Sequence, residues 1–493
     1  MKDWAAKWAV YSPEKIAIRE FETDKILTYK DLHEKAMALA QWLKTTFQIQ
    51  KGDRVAVLAD FCLEYVALFS AAQKLGFALV PLNYRLTAHE ILFLCQDAKP
   101  SLVIFEKKYH HLLSEVADTE GGVRLISLEN IFDISENSKK LNFENEAIKD
   151  DDAIFILYTS GTTGFPKGAI YTHKMLFWNS INTAMSLIIN AESRTVVPMP
   201  PFHTGGWNVL LTPFLHHGGY VCLMKKFDAA AILDILQREK MTIFMGVPTM
   251  LKMMSALPEF EAAHFTHLHY IIVGGEAMPI PLIETWHAKN VPIRQGYGMT
   301  EVGPNLTSLH QDDAIRKKGS IGRPNFYVQT RILDENGNEN NNGELLLRGD
   351  MVTLGYWQNP EATTKAIDKN GWFRTGDRVF SDEEGYLYIV DRIKNMFISG
   401  GENVYPAEIE RVALQHDAIS EVAVIGVADE KWGEVGKMFV VLRPDYAPTE
   451  GVEILDFLKG KLAKYKIPKY LVFLEALPKN DTGKINRQAL KNG

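Results

Sequence analysis

The sequence predicts an α/β chain: a large N-terminal part of parallel, helix-layered sheets plus a small β-barrel-like part, followed by a small α+β unit. Three observations predict this. To about residue 310, short apolar runs alternate with helical periods. From about 311 to 391 the pattern turns strand-rich. From about 394 to the end the chain mixes both textures in a compact unit.

In the first part, Thr28 with Asp31 reads as a helix start, since a capping hydroxyl and a first-turn acid satisfy free N–H groups. RVAVLAD (54–60) reads as a buried strand and CLEYVALFSAAQKL (62–75) as a helix, which Gly76 stops. FALVPL (77–82) is the next strand, and AHEILFLCQDA (88–98) with SLVIF (101–105) repeats the cycle. Such alternation is the mark of parallel sheets covered by helices. In the second part, DENGN (334–338) and SDEEG (381–385) are hairpin cues, suiting a small barrel or a distorted antiparallel sheet. In the third, AEIERVALQH (407–416) is helical, EVAVIGV (421–427) and MFVVLRP (438–444) are strands, and VEILDFLKGKLAKY (452–465) is an amphipathic helix.

Composition narrows the function classes. The 493 residues exceed what one hydrophobic core usually serves. A net charge of −7 disfavours nonspecific nucleic-acid binding. Cys62, Cys95 and Cys222 are odd in number and far apart, which fits a reducing, cytoplasmic compartment with no disulfide framework. The first residues lack an apolar secretory core, and no run is apolar enough to span a bilayer: YVALFSAAQKLGFALVPL is broken by Gln73, Lys74 and Gly76. His264, His267 and His269, and the pair His216–His217, fit no metal-ligand spacing.

The chemistry is expected at strand ends, where ligands of parallel sheets bind. IFILY (154–158) leads into Thr159, Ser160, Gly161, Thr162, Thr163 and Gly164, with Lys167 close behind. That loop suits phosphate, yet lacks the Gly-Lys-Ser/Thr ending of the common P-loop. LHYIIV (268–273) leads into Gly274, Gly275, Glu276 and Ala277, and VPIRQ (291–295) into Gly296, Tyr297, Gly298, Met299, Thr300 and Glu301. Paired glycines let backbone approach a flat ring, Tyr297 can stack on it, and Glu301 is an oxygen ligand suited to magnesium.

YTSGTTGFPKG, PPFHTGGW, GGEAMP, GYGMTE, WFRTGD, DRIKNMFISGGENVYPAEIE and PKNDTGKINR follow one another from residue 158 to 487. In this order they resemble the adenylate-forming superfamily of acyl-CoA synthetases, luciferases and amino-acid adenylation domains, and most closely the fatty-acid–CoA ligases. The resemblance implies a two-step reaction. A carboxylate attacks the α-phosphorus of ATP to give an acyl adenylate and pyrophosphate, and coenzyme A then displaces AMP. It also implies a division at a hinge, with an AMP- and acyl-binding domain over 1–393 and a mobile domain over 394–493 that carries the catalytic lysine.

Residue by residue, the resemblance makes Lys484 the lysine that bridges the carboxylate and the α-phosphate. Thr300 bonds the α-phosphate and Glu301 holds Mg2+. Asp377 takes the ribose hydroxyls and Arg392 the ribose or phosphate, while the loop 159–164 with Lys167 holds the departing pyrophosphate. Lys394 is the hinge; Asn395 follows it where an aspartate is frequent. Ser399, Gly400, Gly401 and Glu402 are expected beside the thiol in the second step. MPPFHTGGWNVLL (199–211) resembles the segment lining the acyl pocket. There His203 orients the carboxylate, gates the thiol or is a core histidine, and Trp207 is a gate or a wall. Gly206, Gly298, Met299 and Val302 leave apolar room. The stretch has no acid to pair an ammonium, and burying an ammonium unpaired is costly, so amino acids are poor candidates. Medium- or long-chain fatty acids lead, ahead of aryl acids and o-succinylbenzoate; loading of a carrier protein and a non-catalytic sensor are the remaining alternatives. The expected ligands are ATP, Mg2+, coenzyme A and a small carboxylic acid, with a homodimer as an admissible assembly.

Overall fold

The computed structural model describes residues 2–117, 123–129, 131–136, 143–159, 166–275, 278–399, 402–430, 432–446, 451–459, 461–462, 464–480 and 483–492. Among them no helix is long and apolar enough to cross a membrane.

The first sheet has six strands, in the order Arg124–Ser127, Leu102–Phe105, Arg54–Leu58, Ala78–Pro81, Ala153–Thr159, Lys167–Thr172. All neighbours run parallel except the last two, which form an antiparallel pair. Helix Tyr29–Thr46 begins with the expected capping box: Thr28 and Asp31 satisfy each other's backbone N–H. Helix Leu63–Leu75 is buried on almost every face and ends at Gly76, whose φ of 83° is the left-handed geometry that glycine adopts most easily. Largely apolar, with its buried Lys74 paired to Asp3, this helix lies inside the layers rather than on them.

The second sheet has parallel strands Ile243–Gly246, Tyr270–Val273 and Ile293–Met299, then antiparallel Gly303–Ser308 and Arg323–Pro324. A third, four-stranded sheet pairs Ile16–Glu20 with Ile26–Thr28 on one side and Tyr220–Leu223 on the other. The strand-rich stretch resolves into Gln329–Leu333, Asn342–Arg348, Phe373–Ser381 and Leu387–Arg392, an antiparallel sheet in chain order. Both hairpin cues sit at turns: Gly337 N–H donates to Asp334 O, and Gly385 N–H to Asp382 O.

The C-terminal domain is small. Helix Pro406–Ala413 packs on the long hairpin Ile419–Asp429 and Gly433–Leu442, with Tyr470–Phe473 added parallel to its second strand. The expected helix over 452–465 is shorter: it runs Gly451–Lys459. A separate 3-10 turn follows at Lys464–Lys466. Gly460, in the middle of that sequence, is by type a poor helix residue and lies outside the described residues. The large domain thus brings three sheet edges together, and the small domain packs against them through Lys252, whose ammonium reaches Ser420, and through Asp391, which accepts from Ala407 N–H at 2.8 Å.

Candidate active site

The segment expected to hold phosphate is the tip of an antiparallel hairpin, not a strand running into a helix. Thr159 pairs with Lys167 in register, and Thr159 Oγ1 donates to Lys167 O. Ser160, Gly161, Thr162, Thr163 and Gly164 lie outside the described residues. Among the described residues no helix starts between these two strands, and Lys167 stands at the start of the second. The second strand carries a further piece of chain on its outer edge. Trp357 N–H donates to Gly168 O at 2.7 Å, Ile170 N–H to Gly355 O at 3.0 Å, and Ala169 bridges Tyr356. Gly168 has no room for a side chain, because a Cβ there would meet Ile156 at 2.7 Å.

That added piece reaches Glu301. Strand Ile293–Met299 does not end at the glycines, as a simple strand-end loop would. Gly296–Met299 continues it and turns back through the 3-10 turn Thr300–Val302 into Gly303–Ser308. The turn is tight: Met299 pairs with Gly303, and a Cβ on Gly298 would meet Pro304 at 2.3 Å. It fixes Thr300 and Glu301 at the sheet edge. Glu301 O accepts from Thr353 N–H at 2.7 Å, and its Oε1 accepts from the Tyr356 hydroxyl at 3.0 Å. Among the described residues Oε2 accepts no hydrogen bond, which leaves this hard carboxylate oxygen available to a cation. One carboxylate oxygen together with substrate phosphates is how proteins commonly hold Mg2+, and the residues fit that group.

Asp377, 3 % exposed, sits in strand Phe373–Ser381 opposite Arg392. Its Oδ2 accepts from the Tyr297 hydroxyl at 2.6 Å, and its Oδ1 lies 2.8 Å from Arg392 Nε. Tyr297 therefore braces the aspartate. Burial and the adjacent Asp377 push the Tyr297 phenol well above its ordinary value, so it remains a donor. The result is a fixed carboxylate with a guanidinium beside it, suited to a vicinal diol next to a phosphate.

Lys484 arrives from the far end of the chain. Its turn is closed by Asn480 N–H donating to Lys484 O at 2.8 Å and Lys484 N–H to Asn480 Oδ1 at 3.0 Å. Gly275 follows strand Tyr270–Val273 with φ +86°, and a Cβ placed on it would lie 3.9 Å from Lys484 Cε. Lys484 Cε thus stands close to Gly275. Glu276 and Ala277 lie outside the described residues. Lys394, in the 3-10 turn Ile393–Asn395, is exposed by surface area, yet desolvation of its ammonium and then Arg392 hold it below its ordinary value, against Asp377, with Arg487 and Lys484 adding to the effect. Asp391 joins both sides of this turn, accepting from Arg392 N–H, Asn395 Nδ2 and Ala407 N–H.

His203 caps helix Thr204–Asn208 and stands edge-on to Phe202 at 4.5 Å. Its Nε2 is buried with no hydrogen-bond partner among the described residues. Burial, then Arg85 and Lys484, lower its pKa to about 4, so the ring is neutral at physiological pH. Beneath it, a Cβ on Gly206 would meet Pro200 O at 2.4 Å and the Phe61 ring at 2.9 Å. Trp207 is fully buried, donates Nε1–H to Pro201 O at 2.7 Å, and packs on Phe61, Tyr65, Phe69 and Phe155. That setting is a wall; a swinging gate would have to break the hydrogen bond and leave this cluster. Val302 is fully buried in a core that includes Leu306 and Leu347. Ser399 is buried and pairs with exposed Glu402 across a short hairpin in the small domain; Gly400 and Gly401 lie outside the described residues.

The structure therefore gathers Lys484, Gly275, His203 and Lys394, the set Asp377–Tyr297–Arg392, and the set Glu301–Tyr356–Lys167. Ser399 and Glu402 share no hydrogen bond with these among the described residues. Two contacts escaped the sequence reading: Tyr356 on Glu301, and Arg85 over the Phe202 ring next to His203. Tyr356 follows Gly355 in an irregular stretch, and no local pattern ties it to a residue so far back.

Known proteins resemble this chain in sequence and fold. The AMP-binding enzyme family matches residues 5–357, and the AMP-binding enzyme C-terminal domain matches residues 408–484. The chain is 38% identical to the long-chain-fatty-acid–CoA ligase FadD13 of Mycobacterium tuberculosis, over 98% of this chain and 96% of that one. It is 34% identical to a feruloyl-CoA synthase of Amycolatopsis, with the same coverages. The o-succinylbenzoate CoA synthetase (MenE) of Bacillus subtilis, solved with the acyl-adenylate OSB-AMP, superimposes with a TM-score of 0.89 at 32% identity, over 100% of this chain and 98% of that one. With ATP and a magnesium ion the same enzyme gives a TM-score of 0.87 at 31% identity, covering 99% of each chain.

Proposed function

Because the chain belongs to the family of AMP-binding enzymes, we propose that it is an ATP-dependent carboxylic acid–CoA ligase working through an acyl adenylate. A carboxylate oxygen forms a bond to the α-phosphorus of ATP as the bond to the β-phosphate bridge breaks, releasing pyrophosphate. The thiol of coenzyme A, losing its proton, then attacks the acyl carbon and AMP leaves. The observation that carries this reading is Lys484 Cε standing close to Gly275, while Asp377 is held by Arg392 and by Tyr297.

The obstacle in the first step is charge. Two like charges 4 Å apart repel by about 4 kcal/mol at an effective dielectric of about 20, and the triphosphate carries several. Lys484 is assigned to the reacting oxygens, Thr300 to the α-phosphate, and Lys167 with the hairpin tip to the leaving pyrophosphate. Glu301 is assigned to Mg2+, which supplies charge neutralisation on the phosphates when bound. Asp377 takes the ribose, and Gly274–Gly275 with Gly296–Gly298 face the base and sugar. The small domain is assigned to 394–493 and turns about Lys394 between the steps, bringing Ser399–Glu402 to the thiol. That turn requires the Asp391 contacts to rearrange.

His203, Gly206, Trp207, Gly298, Met299 and Val302 bound the acyl side, and the absence of any acid among them supports an apolar acid. Medium- or long-chain fatty acids are the leading substrates. Aryl acids are the second reading, favoured by the packed Trp207 cluster, which leaves no room for a chain to extend directly beneath Gly206. A cytoplasmic setting and a homodimer are part of the proposal, the first supported by three free, buried cysteines. The test is an acid panel of rising chain length with an aryl set alongside. Acid-dependent pyrophosphate exchange, followed by AMP and acyl-CoA formation with free CoA, is the expected result. No exchange with any acid would sink the enzyme reading.

A further inference from the structure

Tyr356 occupies an unusual position between the candidate phosphate and metal residues. Its ring lies under Lys167, with Nζ 5.5 Å from the ring centroid. Its hydroxyl donates to Glu301 Oε1 at 3.0 Å. Its backbone is tied to the phosphate hairpin, through the Ala169 bridge and the flanking bonds Ile170 N–H to Gly355 O and Trp357 N–H to Gly168 O. A hydrogen bond links the next turn to the same acid, Thr353 N–H to Glu301 O at 2.7 Å. The side chain is therefore held at both ends by structure that does not depend on ligand.

The chemistry of the contact is directional. A phenol donating to one carboxylate oxygen fixes the plane of the carboxylate and leaves the other oxygen as the outward donor. An unbraced glutamate has three torsions to freeze when a cation arrives, and each costs affinity. Outer-shell hydrogen bonds of this kind orient metal-ligating side chains. On its other face the aromatic ring attracts the Lys167 ammonium and restrains it near the hairpin tip. One residue thus touches both groups assigned to the Mg2+–pyrophosphate end of ATP, and neither group assigned to the thiol.

We propose that Tyr356 is a positioning residue for the metal–triphosphate site, acting on Mg2+ through Glu301 Oε1 and on the leaving pyrophosphate through Lys167. The inference rests on the ligase reading for the identity of the leaving group, but not for the metal contact itself.

The experiment uses the full chain and Tyr356→Phe, which keeps the ring under Lys167 and removes only the hydroxyl. Mn2+ binding in the presence of ATP, followed by electron paramagnetic resonance, is expected to weaken by about 10- to 100-fold. Tyr356→Phe in a Glu301→Gln background should then weaken it no further, since the bond has no carboxylate to act on. Pyrophosphate exchange should fall by a similar factor, while thioester formation from supplied acyl adenylate stays within twofold of the parent. Tyr356→Leu, which also removes the ring, should lower exchange beyond Tyr356→Phe. Mn2+ affinity within twofold of the parent would overturn the proposal. So would an undiminished effect in the Glu301→Gln background, or an equal fall in both half-reactions, whether from misfolding or a general structural role. A parent protein that binds Mn2+ with ATP yet shows no exchange with any acid would instead defeat the ligase reading and leave the metal-site test standing.

Discussion

On the nucleotide side of the site both candidate carboxylates already have protein partners: Asp377 holds Tyr297 and Arg392, and Glu301 holds Tyr356. On the acyl side the pattern reverses. His203 Nε2 is buried with no partner among the described residues, and the segment that follows it carries a packed aromatic cluster around Trp207. The contrast follows from what each side must do. A polyphosphate is recognised by fixed charges and dipoles, which act best when they need no reorganisation on binding. An apolar acid is recognised by shape, which is set by core packing. Substitutions on the acyl side should therefore be felt first as stability, and those on the nucleotide side first as chemistry.

The largest effect that tests this contrast is Trp207→Ala. Removing a fully buried tryptophan should cost about 3–5 kcal/mol of folding stability, read as a shift in urea midpoint. A loss below about 1 kcal/mol would mean the cluster is a loose pocket rather than a core, since such truncations in packed interiors cost more. Lys484→Ala comes next and should leave the urea midpoint near that of the parent. Acid-dependent pyrophosphate exchange is expected to fall by about 100- to 1,000-fold, the usual effect of deleting a preorganised transition-state donor. Thioester formation from supplied acyl adenylate should be spared. An equal loss in both steps would break the assignment of Lys484 to the first. Asp377→Asn is smaller. It weakens the charge-assisted bond to Arg392, and ATP affinity by calorimetry should fall by about 10- to 100-fold, the equivalent of one charged hydrogen bond. Unchanged ATP affinity would make Asp377 a purely structural strand residue.

The same contrast explains what the sequence disclosed. The βα alternation was legible because its signals are local: the Thr28–Asp31 cap, the Gly76 stop and the buried strand 54–58 all depend on near neighbours. Lys484, Asp377, Glu301 and Lys394 stood out because they lie in motifs that resemble a known family. What stayed hidden was tertiary pairing. Nothing local predicts that the hairpin Ala153–Thr159 and Lys167–Thr172 would recruit Tyr356, or that strand Ile293–Met299 would continue through its glycines. The end of the last long helix at Lys459 was overrun because amphipathic periodicity persists on both sides of Gly460. The pocket depth was illegible for a similar reason: Trp207 reads the same in sequence whether it faces ligand or core.

His203 gives the smallest effect and the sharpest probe of the acyl side. Its pKa is lowered from 6.5 to about 4 by burial first, then by Arg85 and Lys484, the two charged groups that face it. Between those two values the native ring binds fewer protons than the unfolded chain does. Its contribution to stability is therefore complete above 6.5, and is lost as the pH falls towards about 4, below which it changes no further. The slope from this one group cannot exceed about 1.4 kcal/mol per pH unit. His173 and His216, each lowered to about 3 mainly by burial, add their own acid slopes. They are present equally in parent and variant, so the difference between the two isolates His203. His203→Gln should flatten the urea-stability profile between pH 6.5 and 4, with parallel curves above that window. If the parent and variant curves stay parallel through it, the imidazole is not held neutral by burial. His203 would then have to be treated as a charged group, on the same footing as the nucleotide side.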